Sequence, residues 1–251
     1  MSKLGNLTPG FLFFLFACNT PSSPPLTQEA TQPVTKEHSF MLNDLSDEDR
    51  SQGWSLLFDG ENLDHWRGFR LQNVPEGWIV DDNSIHYNGK VRSGDIITRE
   101  QYRDFELQLE WKVLKAGNSG IFFRVSEDFD KAWATGPEMQ VLDDAGHRDG
   151  AKRETSAGSN YALHSPNRDV VRKAGEWNQV GIVVRGNKVE HWMNGVKIVE
   201  YELLSEEWRK KVTESKFSTL SHYGLMEVGH IALQDHGDPV WYRNIRIRHL
   251  N

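Results

Sequence analysis

From Asp104 to Val113 apolar and polar side chains alternate without interruption. Phe105, Leu107, Leu109, Trp111 and Val113 fall on one side, Glu106, Gln108, Glu110 and Lys112 on the other. A period of two predicts a strand with one face in a core and one facing out. The same pattern recurs in SGIFFRV (119–125), in PEMQVL (137–142) and along 178–201. Within that last stretch, Gly186-Asn187 and Asn194-Gly195 sit between apolar runs, where they predict tight hairpin turns. Residues 229–247 read as two more strands joined at Gly237-Asp238-Pro239. Only LLSEEWRKKV (203–212) has helical spacing, and it predicts a short surface helix. Many short strands with turns at regular spacing predict an all-β fold, an antiparallel β-sandwich or jelly roll.

The first 45 residues do not share this pattern. Phe11 to Cys18 (FLFFLFAC) is a dense apolar run with Lys3 before it, too short to span a bilayer but suited to the apolar part of a signal peptide. It ends in Leu15-Phe16-Ala17-Cys18, and Cys18 is the one cysteine of the chain. This resembles a bacterial lipoprotein signal, in which residues 1–17 are removed and Cys18 is lipidated. Residues 18–45, rich in Pro, Ser, Thr and Gln, bury too little apolar surface to fold and predict a flexible tether. Residues 46–251 are then a single domain. With no acidic run after Cys18, the expectation is a protein of the bacterial cell envelope, attached through lipid alone and facing the periplasm. No disulfide can form within the mature chain, and a formal net charge of −7 argues against a nucleic-acid partner.

Five longer segments follow in order: GWSLLFDGENLDHWRG, GNSGIFFRV, PEMQVLDD, GEWNQVGIVVRGNKVEHWMNGVKIVEY and GHIALQDHGDPVWYRNIRIRHL. Together, over roughly Gly53 to Leu250, they resemble the bacterial 3-keto-disaccharide hydrolases, also described as 3-keto-glycoside 1,2-lyase and 3-keto-2-hydroxyglucal hydratase domains. The resemblance implies a concanavalin A-like lectin or glucanase architecture whose concave face holds sugar. It also implies a 3-oxidised glycoside as substrate and a separate glycoside 3-dehydrogenase as functional partner. One segment departs from the pattern. AGSNYALHSP (157–166) keeps an aromatic at Tyr161, but Ser159 and Asn160 are more polar than expected, which predicts an altered pocket there.

Alternation assigns candidate side chains to faces. If Met139 and Val141 enter the core, Glu138 and Gln140 face outward, and Asp143, Asp144 and His147 follow where the strand ends. Gly120, Phe122 and Arg124 share a face, which would let Arg124 meet a sugar oxygen or pair with Glu138. With Ile231 and Leu233 in the core, Gln234 and His236 face the groove. Asp235 then orients His236 or caps the turn, and Arg243 returns on the partner strand. His86, His164, His191 and His222 read as structural. Without the family, a solvated strand face with a polar loop is the better explanation of the acidic strand; the resemblance shifts the balance to a functional role.

The chemistry implied by the family starts from a ketone at C3, which acidifies the C2 hydrogen. Loss of that proton gives an enolate, the C1 substituent leaves, and water adds to the resulting enone. Such a sequence needs a base near neutral pKa, donors to the enolate oxygen and an acid for the leaving oxygen. The catalytic candidates are Glu138, His147 and His236. The candidate substrate-binding residues are Asn118, Arg124, Gln140, Asp143, Tyr161, Gln234 and Arg243. A divalent metal ion could stabilise the enolate instead, with Glu138, Asp143, His147 and His236 as ligands of suitable type, although no His-x-x-x-His spacing supports it. Two alternatives use the same fold. One is a non-catalytic lectin-like glycan-binding lipoprotein. The other is a two-carboxylate glycosidase, against which Gln140 stands where a second acid belongs.

Overall fold

The structure, a computed structural model, describes residues 42–250; the leader, Cys18 and all but the last four residues of the expected tether lie outside them. A short helix α1 (Asp47–Ser51) opens the described part, capped by Ser46, whose side chain accepts the Asp49 N–H. Thirteen strands follow: β1 (Ser55–Leu56), β2 (Trp66–Gly68), β3 (Trp78–Asp81), β4 (Ser84–Tyr87), β5 (Ile96–Thr98), β6 (Phe105–Val113), β7 (Asn118–Val125), β8 (Glu138–Leu142), β9 (Asn178–Arg185), β10 (Lys188–Met193), β11 (Val196–Glu202), β12 (His230–Leu233) and β13 (Val240–His249). The strand pairs are antiparallel and form two sheets. The larger runs β11-β10-β9-β6-β13-β4-β3 with β1 also on β13, and the smaller runs β2-β5-β12-β7-β8.

The sheets share one apolar core. Leu107, Leu109, Trp111, Ile182 and Tyr242 come from the larger sheet; Ile121, Phe123, Met139, Val141, Ile231 and Leu233 come from the smaller. The inward set of β6 is the one its alternation predicts, and the protein is an antiparallel β-sandwich. The predicted turns form as well: Asn194 and Gly195 both have positive φ (49° and 82°), the backbone that a two-residue turn requires there.

Two expectations are corrected. The terminal pair of strands is not a hairpin, because β12 lies between β5 and β7 while β13 lies between β6 and β4 in the other sheet. Both strands alternate toward the same core, so pattern alone cannot say which sheet each joins. Asp235 makes the choice visible: it takes the N–H groups of Ser93 and Gly94 at 2.7 and 2.8 Å, tying the end of β12 to the segment before β5. It caps that loop and makes no hydrogen bond to His236. The helix is also more than a surface element. Now α2 (Glu206–Glu214), it starts where the Ser205 side chain caps Trp208 N–H, and Trp208 itself is buried.

Candidate active site

The outward face of the smaller sheet carries the site. Because Ile121, Phe123, Met139 and Val141 point into the core, the intervening Asn118, Gly120, Glu138 and Gln140 point away from it. Gly158 to Tyr161 pairs along the free edge of β8: Gln140 N–H donates to Ser159 O, Gly158 N–H to Gln140 O and Tyr161 N–H to Glu138 O. This brings Tyr161 beside Glu138. Asn118, Glu138, Gln140, Tyr161, Gln234 and His236 line one pocket of about 360 Å³, together with Trp133, Lys216 and Phe217.

Glu138 is 7% exposed, and its carboxyl group makes no hydrogen bond or ion pair among the described residues. Burial raises its pKa to about 8; Lys216 opposes the rise, and Asp95 and Asp149 add to it. At neutral pH it is therefore a carboxylic acid. Gly120 makes room for it, since a Cβ there would stand 2.2 Å from Glu138 Oε1. His236 shows the opposite behaviour. Desolvation lowers its pKa, more than Asp238 compensates, so its imidazole is neutral at pH 7. Gln234 Oε1 is buried without a partner, leaving an acceptor aimed at no protein group.

His147 stands beside this cluster, its ring 6.3 Å from that of His236 and edge-on to it. Its Nδ1 accepts the Asp149 N–H at 3.1 Å, which puts the proton of the neutral ring on Nε2. Nε2 is 3.5 Å from the Asn118 side-chain amide. Asp149 also accepts the Tyr161 hydroxyl at 3.1 Å, so one short helical turn orients both rings.

Three predicted residues lie elsewhere. Arg124 has φ of +53°, and the β7–β12 register shifts at this point, so its side chain leaves the face of Phe122. Its Nη2 donates to Gly186 O at 2.5 Å, in the β9–β10 turn, and no pair with Glu138 forms. Arg243 follows β13 into the larger sheet, where Nε meets Glu110 Oε2 at 2.7 Å and the guanidinium covers Trp177. Asp143 does not line the pocket. Its Oδ2 takes the Ala116 N–H at 2.8 Å and its carbonyl takes those of Gly146 and His147, so it shapes the two loops that carry Asn118 and His147. Ser159 and Asn160 are fully buried behind the wall, and Asn160 contacts His164; of that segment Tyr161 alone lines the pocket. The four proposed metal ligands are not gathered into one set, and no group of three His, Cys, Asp or Glu suited to an ion occurs among the described residues.

Three lining residues were not anticipated. Trp133 is 42% exposed in the loop between β7 and β8, and a large aromatic between two site strands was the available signal. Lys216 and Phe217 follow α2 with no local mark of function. They are held by parallel rings, Tyr201–Trp208–Tyr223–Phe217, that run from β11 to the pocket wall.

A β-sandwich with amide, carboxyl and imidazole groups set among aromatic rings in a pocket on an outer sheet face fits a carbohydrate-active protein. The sequence is more specific: residues 53–248 match the model of the 3-keto-alpha-glucoside-1,2-lyase-like domain, and the chain belongs to that family. It is 33% identical over 231 residues to a 3-keto-disaccharide hydrolase of Bacteroides thetaiotaomicron, covering 80% of each chain. Two crystal structures from Parabacteroides distasonis, both provisionally assigned as glycosyl hydrolases, are similar. One has a TM-score of 0.79 at 32% identity and covers 84% of this chain and all of its own. The other has 0.61 at 28%, covering 78% and 99%.

Proposed function

We propose that this protein cleaves 3-keto-glycosides by removing the C2 proton, expelling the C1 substituent and adding water. The observation that carries the reading is the pairing, in one pocket, of a carboxyl group kept protonated to about pH 8 with an imidazole kept neutral. Each group is in the form its task requires: His236 accepts the C2 proton, and Glu138 gives a proton to the departing C1 oxygen. The enolate forms as the C2–H electron pair moves into C2=C3 and the C3 carbonyl becomes O⁻. That oxygen then re-forms its carbonyl, C1=C2 forms, and the C1–O pair leaves with the aglycone. Addition of water to C1 of the enone releases the free 3-keto sugar.

The other groups bind and orient. Gln234 Oε1 is an acceptor for a sugar hydroxyl, and Asn118 and Gln140 supply amides on the floor. His147, whose Nδ1 is committed to the backbone, acts as a positioning residue behind Asn118 and not as the base. A ketone at C3 must be installed first, so the reading places the protein downstream of a glycoside 3-dehydrogenase, in an envelope location set by lipid at Cys18.

The test uses a disaccharide and its 3-oxidised form with purified protein. Cleavage of the oxidised sugar alone is expected. Cleavage of the native sugar would replace this reading with a glycosidase, and binding of either without turnover with a lectin.

A further inference from the structure

We propose that Lys216 is a further catalytic residue of this pocket, its ammonium group meeting the negative charge that arises on the substrate's C3 oxygen when the C2 proton leaves. The assignment rests on the functional reading above and supplies what that reading lacks, a cation for the enolate.

Three observations converge on it. Lys216 lines the same pocket as Glu138 and His236. Its Nζ is held over aromatic rings, 4.1 Å from the centroid of Tyr161 and 5.1 Å from that of Phe217. Both rings are fixed in turn: Tyr161 by its hydroxyl on Asp149 and its N–H on the Glu138 carbonyl, Phe217 by Tyr223 stacked at 4.1 Å. Finally, the ammonium has no carboxylate partner among the described residues. Lys197 pairs with Glu190 and Glu200, and Lys211 with Glu207, but Lys216 pairs with none.

Burial lowers the pKa of Lys216, and two carboxyl groups near enough to act on it through space, Glu138 and Asp149, oppose that shift without forming an ion pair with it. Glu138 is protonated at neutral pH, and Asp149 is taken by the Tyr161 hydroxyl. The pocket thus holds a positioned ammonium group to which no carboxylate of the described residues is paired. Such a cation gains little from a neutral ketone and much from an enolate, so its stabilisation appears mainly as the reaction proceeds. No bond to Lys216 forms or breaks. The proton goes to His236, the electron pair to the C3 oxygen, and Lys216 stays protonated throughout. Its side chain is exposed at the rim, so replacing it leaves the core intact.

The experiment separates enolisation from cleavage. A 3-keto-1,5-anhydrohexitol has no leaving group at C1, and its C2–H exchange in D₂O reports enolate formation alone. Cleavage of a 3-keto-disaccharide is followed in parallel. K216M is expected to slow exchange and cleavage together, by roughly 100-fold in kcat with KM changed less than about threefold, whereas K216R recovers most of the rate. The alkaline limb of the K216M profile also moves to higher pH, because Lys216 lowers the pKa of Glu138. Exchange in K216M within about threefold of wild type, or a K216R as slow as K216M, overturns the assignment and leaves the functional reading standing. Wild-type protein that neither exchanges nor cleaves overturns the functional reading itself, and this assignment with it.

Discussion

On the outer face of the larger sheet, every polar side chain of β6 meets a complement directly across on β13. Glu106 faces Arg248 at 2.9 Å, Gln108 faces Arg246 at 2.8 Å and Glu110 faces Arg243 at 2.7 Å. Lys112 lies 4.7 Å from the ring of Trp241. On the outer face of the smaller sheet the cross-strand partners are different in kind. Gln140 is opposite Gly120, Glu138 opposite Phe122 and Asn118 opposite Leu142. Both faces obey the same alternation, yet one satisfies its polar groups across the strand pair, while on the other Gln140 and Asn118 turn to loop and backbone groups and Glu138 is left buried without a partner. The first arrangement stabilises the sheet. The second costs stability and creates reactivity, because a carboxyl group without a partner keeps its proton and a neutral imidazole can take one.

The sharpest break of this contrast is Glu138→Gln. It should lower kcat by about 10³-fold, since the amide cannot donate to the leaving oxygen, while raising thermal stability at pH 7. The sign follows from linkage. The folded pKa near 8 exceeds the ordinary 4.5, so the stability that Glu138 contributes is full below 4.5 and is lost as pH rises toward 8. Melting curves of wild type should fall across that window, and those of E138Q should be flatter. A variant that loses stability, or keeps its kcat, would show Glu138 to be an ordinary structural acid.

Next in size, His236→Ala should cost about 10²- to 10³-fold in kcat, with His147→Ala losing less. In the wild type the acidic limb belongs to His236, whose lowered pKa keeps it neutral until below 6.5. The alkaline limb belongs to Glu138, near 8. A kcat/KM profile without these two limbs would refute the pairing. Equal losses in the two histidine variants would return the identity of the base to question.

Gly120→Ala tests the space under the acid. Its Cβ would meet Glu138 Oε1 at 2.2 Å and Cδ at 2.9 Å, so the carboxyl group must swing away. A loss of roughly tenfold to 100-fold in kcat and about 1–3 kcal/mol in stability is expected from such overpacking, measured by turnover and denaturant unfolding. An active, stable G120A would mean that the carboxyl position is not critical. The smallest effect belongs to the other face. Glu106→Gln leaves Arg248 without its charge partner and should cost about 1 kcal/mol of stability with kcat within twofold of wild type. A large loss of activity in E106Q would dissolve the distinction between the faces.

Much of the framework was legible from residue order. The β6 alternation, the Asn194-Gly195 turn and the outward placement of Glu138 and Gln140 are local consequences of a two-residue repeat. The outward placement of Gln234 and His236 follows too, because Ile231 and Leu233 demand the core, but that they share a sheet with Glu138 is seen only in the strand order. The failures also have local causes. Arg124 was assigned by counting in twos, and one left-handed residue at a bulge reversed it. Arg243 was assigned by assuming a hairpin across Gly237-Asp238-Pro239, where the chain instead changes sheets.

What sequence alone determined is the repeat: which side chains of each strand share a face, where turns can form, and which family the chain belongs to. Tertiary structure decided which faces are buried and what stands opposite each polar group. The proton on Glu138 depends on Phe122 and Gly120 lying beneath it and on the walls that exclude water, and Lys216 reaches the pocket only through a stack of rings that begins at β11. Those are interactions between residues far apart in the chain. Desolvation and charge depend on distances in space, which a two-residue period does not encode.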